Sequence, residues 1–212
     1  MKHYSFIDQL IIKADSMLRT VSGTSLEGQR EHPAAGIHEG DLSTEEKEEA
    51  ARLMRVNHAG EIAAQGLYHG QALFARKKTT REHLLGTAHQ ETEHLYWCEQ
   101  RIAQLGGRTS LLAPLWYAGS FAIGSVAAIA GDRWSLVFIQ ETEEQVVEHL
   151  KSHLNRLSPE DRVSRAIITQ IIADEAEHAQ AARRQSNYDM PAGISSLMRA
   201  TAKIMTSSAY HI

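Results

Sequence analysis

A single cysteine in 212 residues, Cys98, excludes an internal disulfide and fits a reducing compartment. Proline is almost as scarce. There are four, and the glycines gather between periodic stretches, which argues for helices and against a strand-and-turn protein. Basic charge holds no majority: 22 Lys and Arg stand against 26 Asp and Glu, for a net charge of -4. They are scattered rather than banked, so a nucleic-acid-binding surface is not expected. The N-terminus, Met1-Lys2-His3-Tyr4-Ser5, lacks the continuous apolar stretch of a secretory signal. What the chain does have is 42% apolar residues, enough for one domain with a real core, and twelve histidines, a faint pointer to metal.

The apolar spacing is that of helices. Phe6, Ile7, Leu10, Ile11, Ala14, Met17, Leu18 and Val21 predict an amphipathic helix over 5–21, followed by a Gly-, Ser-, His- and Pro-containing loop to Gly40. Ser43-Thr44-Glu45-Glu46 reads as a capping box opening a long helix to about Lys77, with Met54, His58, Glu61, Gln65 and Tyr68 facing inward. Thr79-Thr80-Arg81-Glu82 offers the next start, and Gly106-Gly107 the stop. Leu84, Ala88, Glu91, Leu95, Cys98 and Ile102 share a face of that helix, where Cys98 reads as a small buried apolar residue rather than a nucleophile. Leu111 to Ala130 is twenty residues without a charge. The length would allow a membrane span, but Pro114, Gly119, Ser120, Gly124 and Ser125 dilute it, and a crossover helix that dips into a membrane surface is the preferred reading. Asp132 is placed to cap a third bundle helix running to about Leu157. Ser158-Pro159-Glu160-Asp161 is placed to start a fourth, with Ser158 as its cap. After Asn187 to Gly193, the residues Ile194, Leu197, Met198, Thr201, Ile204 and Met205 predict a last amphipathic helix, docked on the bundle or on a membrane. The expected protein is therefore all-α: a four-helix bundle over 41–212, with an apolar crossover at about 111–131, extra amphipathic helices at both ends, and residues 1–40 as a separate N-terminal helix and loop.

Within that bundle the chemistry lies in a doubled motif. Glu175 and His178 form a Glu-x-x-His pair, and Glu91 with His94 forms another; residues three apart share one helix face and can share a metal ion. Each pair is preceded by a glutamate upstream, Glu61 and Glu143, giving the order of a di-metal carboxylate bundle. Distance along the hairpins agrees: counted from a turn near Lys78 and another near Ser158, the members of each hairpin fall within about one helical turn of the same height at ~1.5 Å per residue. Among Glu141, Glu143 and Glu144, only Glu143 lies on the stripe with Ile139, Val146 and Leu150, and Glu177 is off the face that Glu175 shares with Ile168 and Ile171. Four inward carboxylates would repel each other unless two divalent cations neutralised them. The oxygen-rich donor set suits iron or manganese better than zinc. By symmetry Glu91 and Glu175 bridge both ions, while Glu61 with His94 and Glu143 with His178 complete them. Asp174, and less directly Gln90 or Asn57, are placed to accept a hydrogen bond from the outer nitrogen of a ligating histidine.

Arg55-Val56-Asn57-His58-Ala59-Gly60-Glu61, Pro114-Leu115-Trp116, Glu143-Glu144 and Asp174-Glu175-x-x-His178 resemble the demethoxyubiquinone hydroxylases, ferritin-like di-iron enzymes of ubiquinone biosynthesis. The resemblance covers about residues 43–212 and leaves 1–40 unmatched. It implies iron ligation by Glu61, Glu91, His94, Glu143, Glu175 and His178, with two Fe ions per chain, O2 as co-substrate and an external reductant. It also implies hydroxylation of a demethoxyubiquinol-type head group carrying a polyprenyl tail. Such a substrate implies a protein held peripherally on the cytoplasmic face of the cell membrane, alone, as a homo-oligomer, or in a quinone-biosynthesis complex. Two rivals stand beside it: a ferritin-like ferroxidase or iron store, and a non-catalytic quinone-binding membrane protein.

Overall fold

The computed structural model describes residues 30–212, so the helix expected over 5–21 lies outside the described residues. Six helices follow one another, with no strand among the described residues: α1 Thr44–Phe74, α2 Lys78–Gln104, α3 Ala113–Ala130, α4 Asp132–Arg156, α5 Arg162–Ser186 and α6 Ala192–His211. The all-α expectation and the crossover hold. Helices α1 and α2 form one antiparallel hairpin and α4 and α5 the other, with α3 carrying the chain between them.

The capping box at α1 is present: Ser43 Oγ accepts from Glu46 N–H at 3.2 Å, and Glu46 Oε2 accepts from Ser43 N–H at 2.8 Å. Two other start signals are displaced. Asp132 does not cap its own helix, where Gly131 with φ 130° takes that place; its carboxylate accepts from Arg76 N–H and Lys77 N–H across the α1–α2 turn. Those two amides end α1 at Phe74, short of Lys77, and satisfy the start of α2, whose own N-cap Lys77 has no side-chain bond to give. The cap of α5 is Asp161 rather than Ser158, with Ser164 N–H donating to Asp161 Oδ1 at 2.9 Å. The Glu160 carbonyl just before it is taken by the N–H of Gly40. The left-handed Asn187 closes α5.

Helix α1 packs more extensively on α3 than on its hairpin partner α2, and glycine is the reason. A β-carbon at Gly66 or Gly70 would collide with the backbone carbonyls of Tyr117 and Phe121, and one at Gly124 with that of Leu67. The glycines expected only to dilute the crossover's hydrophobicity thus include one, Gly124, that lets the two backbones meet. The outer face of α3 is bare: Leu115, Val126 and Ile129 are each more than half exposed. It is the one helix among the described residues long and apolar enough to cross a membrane by length and composition. Helix α6 docks by its C-terminal end, where Arg55 donates to the carbonyls of Ala209 and Tyr210 at 2.7 Å each. Further along, Leu197 and Ile204 stand free.

Within the four-helix bundle the two largest apolar clusters form layers. One holds Leu53, Met54, Trp97, Cys98, Ile102, Leu150, Ile168 and Ile171; the other holds Tyr68, Ala72, Leu84, Ala88, Ile139 and Ala182. On each of the four bundle helices, the residues between these layers are the acids and histidines of the doubled motif.

Candidate metal centre

All six residues of the motif are brought together and buried, Glu91 and His94 completely. Single ligand atoms from Glu61, Glu91, His94 and Glu175 lie within 4.8 Å of one another. His94 Nδ1 is 2.8 Å from Glu91 Oε2, 3.2 Å from Glu175 Oε1 and 3.7 Å from Glu61 Oε2. His178 Nδ1 is 3.2 Å from Glu91 Oε1 and 3.2 Å from Glu175 Oε2. Glu91 and Glu175 therefore each present one oxygen to each imidazole, while Glu61 sits on the His94 side. Glu143 shares a hydrogen bond with Glu175 and accepts another, very short one from the Tyr68 hydroxyl.

The outer nitrogens are braced crosswise. His94 of α2 donates Nε2–H to Asp174 Oδ2 of α5 at 3.0 Å; His178 of α5 donates Nε2–H to Gln90 Oε1 of α2 at 2.9 Å. Asp174 and Gln90 each precede a Glu of the motif by one residue, so each helix supplies a ligand face and a support for its neighbour. Asn57 does not join them: its amide lies against Met54 Sδ at 3.8 Å and its oxygen has no partner. Of the rejected acids, Glu144 and Glu177 are exposed, as expected. Glu141, expected on the same solvated face as Glu144, is instead half-buried: its carboxylate accepts from Ser195 Oγ at 2.6 Å and secures the first turn of α6.

The donor set passes a direct test of fit. With Nε2–H committed to an acceptor on both rings, each Nδ1 either carries a second proton or turns a lone pair toward carboxylates; a cation satisfies the second arrangement. Glu91 Oε1 receives no well-aligned hydrogen bond despite being wholly buried. Without metal, protons fill the gap. Burial raises Glu61 to about 8 against the opposing pull of His94, and burial with the charges of Glu175 and Glu91 holds Glu143 well above the carboxylate range. Burial also acts to lower both histidines, but the surrounding acids outweigh it, lifting His94 well above its ordinary value and His178 to about 10. For Glu175 burial pushes upward, and the hydrogen bonds from His178 and His94 override it, keeping the carboxylate ionised. The site is built for about four positive charges, and two divalent cations in place of those protons bring four glutamates to neutrality.

Two residues at the centre were under-read in the sequence. Tyr68, expected only to face inward, is buried and bonded to Glu143. Its spacing two turns after Glu61 was the available signal. Arg30, in the segment with no motif, reaches Asp174. No pattern in the sequence marks it.

Comparison with known proteins agrees with this geometry. The 3-demethoxyubiquinol 3-hydroxylase of Nitrosococcus oceani is 50% identical over 211 residues, covering 100% of this chain and 99% of that one. The enzymes of the same name from Laribacter hongkongensis and Chromobacterium violaceum are 52% and 50% identical over 206 residues, 97% of this chain and 100% of theirs. The family model described as ubiquinone biosynthesis protein COQ7 matches residues 48–209, from the first turn of α1 to the end of α6. A match of that extent, containing every residue of the doubled motif, makes this chain a member of the COQ7 family of ubiquinone biosynthesis proteins.

Proposed function

We propose that this chain is a di-iron oxidoreductase that hydroxylates the head group of 3-demethoxyubiquinol with O2. The observation that carries the reading is the pair Glu91 and Glu175, each with one oxygen toward each of two histidines that are braced from behind. That is the arrangement expected of carboxylates bridging two ions. It sits in a chain about half identical, over its whole length, to enzymes of that name. Family membership favours this reading over an iron store or a passive quinone carrier.

In this reading Glu61, Glu91, His94, Glu143, Glu175 and His178 would hold the two ions, with Glu91 and Glu175, which stand between the two histidines, shared by both. Two ferrous ions would supply two electrons to O2 and the ring C–H being oxidised the other two, so that with two protons one oxygen atom enters the ring and the other leaves as water, and an external two-electron reductant would restore the ferrous pair. The protein's part is positional and electrostatic. Tyr68 fixes one oxygen of Glu143 by donating a hydrogen bond, and burial beside the carboxylates of Glu143, Glu91 and Glu175 holds the proton on its hydroxyl. The two apolar layers exclude water above and below the centre. Ile62 and Leu95, the neighbours of Glu61 and His94, pack against Ala113, Tyr117 and Phe121 of α3, so apolar surface continues from the centre to the crossover. The bare faces of α3 and α6 then suit peripheral attachment to the cytoplasmic face of the membrane that holds a polyprenylated substrate, with 41–212 as the catalytic bundle.

The test is the quinone profile of cells lacking the protein. Accumulated demethoxyubiquinone, cleared by the wild-type gene and not by Glu143→Ala, is the expected result. An unaltered quinone pool would overturn the function while leaving the metal centre standing.

A further inference from the structure

The two histidines are braced unequally. His178 leans on Gln90, a neutral amide, whereas His94 leans on a carboxylate that is itself held from three sides. Arg30 forks onto Asp174, Nη1 to Oδ2 at 2.8 Å and Nη2 to Oδ1 at 3.2 Å, and Gln170 Nε2 donates to Oδ1 at 3.0 Å. Oδ2 is the oxygen that also accepts from His94. The same guanidinium lies over the ring of Trp97 at 5.1 Å, and that ring in turn packs against His94 with centroids 5.5 Å apart. Arg30 thus reaches the imidazole by two routes, one polar and one through an aromatic wall.

We propose that Arg30 is a positioning residue for the metal centre, holding the Asp174 carboxylate in the plane that fixes His94 as an Nδ1 ligand and so making the ion beside His94 the tighter bound of the two. The inference rests on the di-metal reading of the six-residue cluster. An anionic partner on Nε2–H makes Nδ1 a stronger donor than an amide partner does, and orients the ring more firmly. The charge of Arg30 tempers that anion slightly, so its contribution is geometric: a planar fork locks both carboxylate oxygens where a single point charge cannot. Because the Arg30–Asp174 pair is partly exposed, it adds little to global stability, which separates its role from that of an ordinary staple.

The segment carrying Arg30 provides its own control. At the other end of the strap Glu39 pairs with Arg101, which also holds Asp161 and Ser164, and Gly40 N–H binds the Glu160 carbonyl. Neither contact touches Asp174 or His94. Loosening that end tests what the strap does as structure.

The experiment titrates metal-free, full-length protein with Co(II), followed by calorimetry and by the visible ligand-field bands. Wild type should take up two ions in two distinguishable steps. Arg30→Gln should weaken the tighter step roughly 3- to 10-fold, less than the 10- to 100-fold typical of losing a direct support, and alter the ligand-field spectrum of the first ion. Arg30→Lys should fall between. In an Asp174→Asn background Arg30→Gln should cost much less, only what its contact with Trp97 carries, and Glu39→Gln should leave both steps unchanged. Equal losses with and without Asp174, a Glu39→Gln effect as large as that of Arg30→Gln, or an unaltered tight step would each overturn the proposal. Failure of the wild type to bind Co(II) at all would overturn the metal reading itself, and this inference with it.

Discussion

Two helix contacts in this bundle are held together by opposite means. Helices α1 and α3 meet backbone to backbone, with glycines on both where any side chain would collide. Helices α2 and α5 touch at few places and are joined chiefly by side chains at the centre: crossed histidine braces, two shared glutamates and whatever neutralises them. The first contact is steric and indifferent to solution conditions. The second depends on charge, and its strength is set by what occupies the space between Glu91, Glu175 and the two imidazoles. The contact built around the charged centre is adjustable, while the one that carries the apolar surface is fixed.

The sharpest break would come from Glu175→Ala. Glu175 presents an oxygen to both histidines, so its loss should empty both metal positions rather than one. Metal analysis after reconstitution should show well under one ion per chain, with helical circular dichroism preserved because both apolar layers are untouched. Retention of one tightly held ion would mean that Glu175 serves a single position, and the pairing of α2 with α5 would need another account.

On the steric side, Gly70→Val should do the damage. Overpacking against a backbone carbonyl has no flexible neighbour to absorb it, and a destabilisation of about 3 kcal/mol is expected, at the upper end for such insertions. Chemical denaturation would measure it. The loss should be the same with and without bound metal, since α1–α3 packing does not involve the charged centre. A Gly70→Val penalty that vanished on metal loading would show the two contacts to be coupled.

How much of this was legible in the sequence follows the same division. The centre was readable because helical periodicity and two turns fix where six polar side chains must stand, and an inward acid is too costly to be accidental. Each of Glu61, Glu91, His94, Glu143, Glu175 and His178 is buried where that spacing put it. The support from Asp174 followed from adjacency and chemistry. Caps were readable only when local: Ser43 reaches its own helix, but Asp132 serves α1 and α2, fifty-odd residues away, and no local pattern shows that. The close approach at Gly66, Gly70 and Gly124 was hidden for the same reason, because a glycine's value there lies in the neighbour it admits. Arg30 was hidden most completely, since it belongs to no helix and its partner lies 144 positions on.

The smallest effect expected is a pH dependence confined to the metal-free protein. Glu61, at about 8 in the folded chain against an ordinary 4.5, and His178, at about 10 against 6.5, both bind their protons more tightly folded than unfolded. The folded state therefore holds more protons between pH 4.5 and 10. The stability these groups contribute is complete below their unfolded values and is lost as pH rises through the folded ones. Glu175 and Asp174 run the other way, but the stability they contribute is complete once pH exceeds their ordinary values of 4.5 and 3.8 and is lost only as pH falls toward their lower folded ones, so it is constant above about pH 5. Above pH 5 the metal-free protein should lose stability steadily, on the order of 1 kcal/mol once water entering the emptied centre screens its charges, or ~2–4 °C in melting temperature. With metal bound, those protons are already displaced and the decline should disappear. Metal affinity should instead rise with pH, because each ion competes with the protons it replaces. Hydrogen exchange would localise the change, with amides of α2 and α5 around His94 and His178 opening first and those of α1 and α3 around Gly70 unaffected. A uniform loss across both contacts would mean that the charged seam and the glycine seam fail together, and that the bundle senses its centre as a whole.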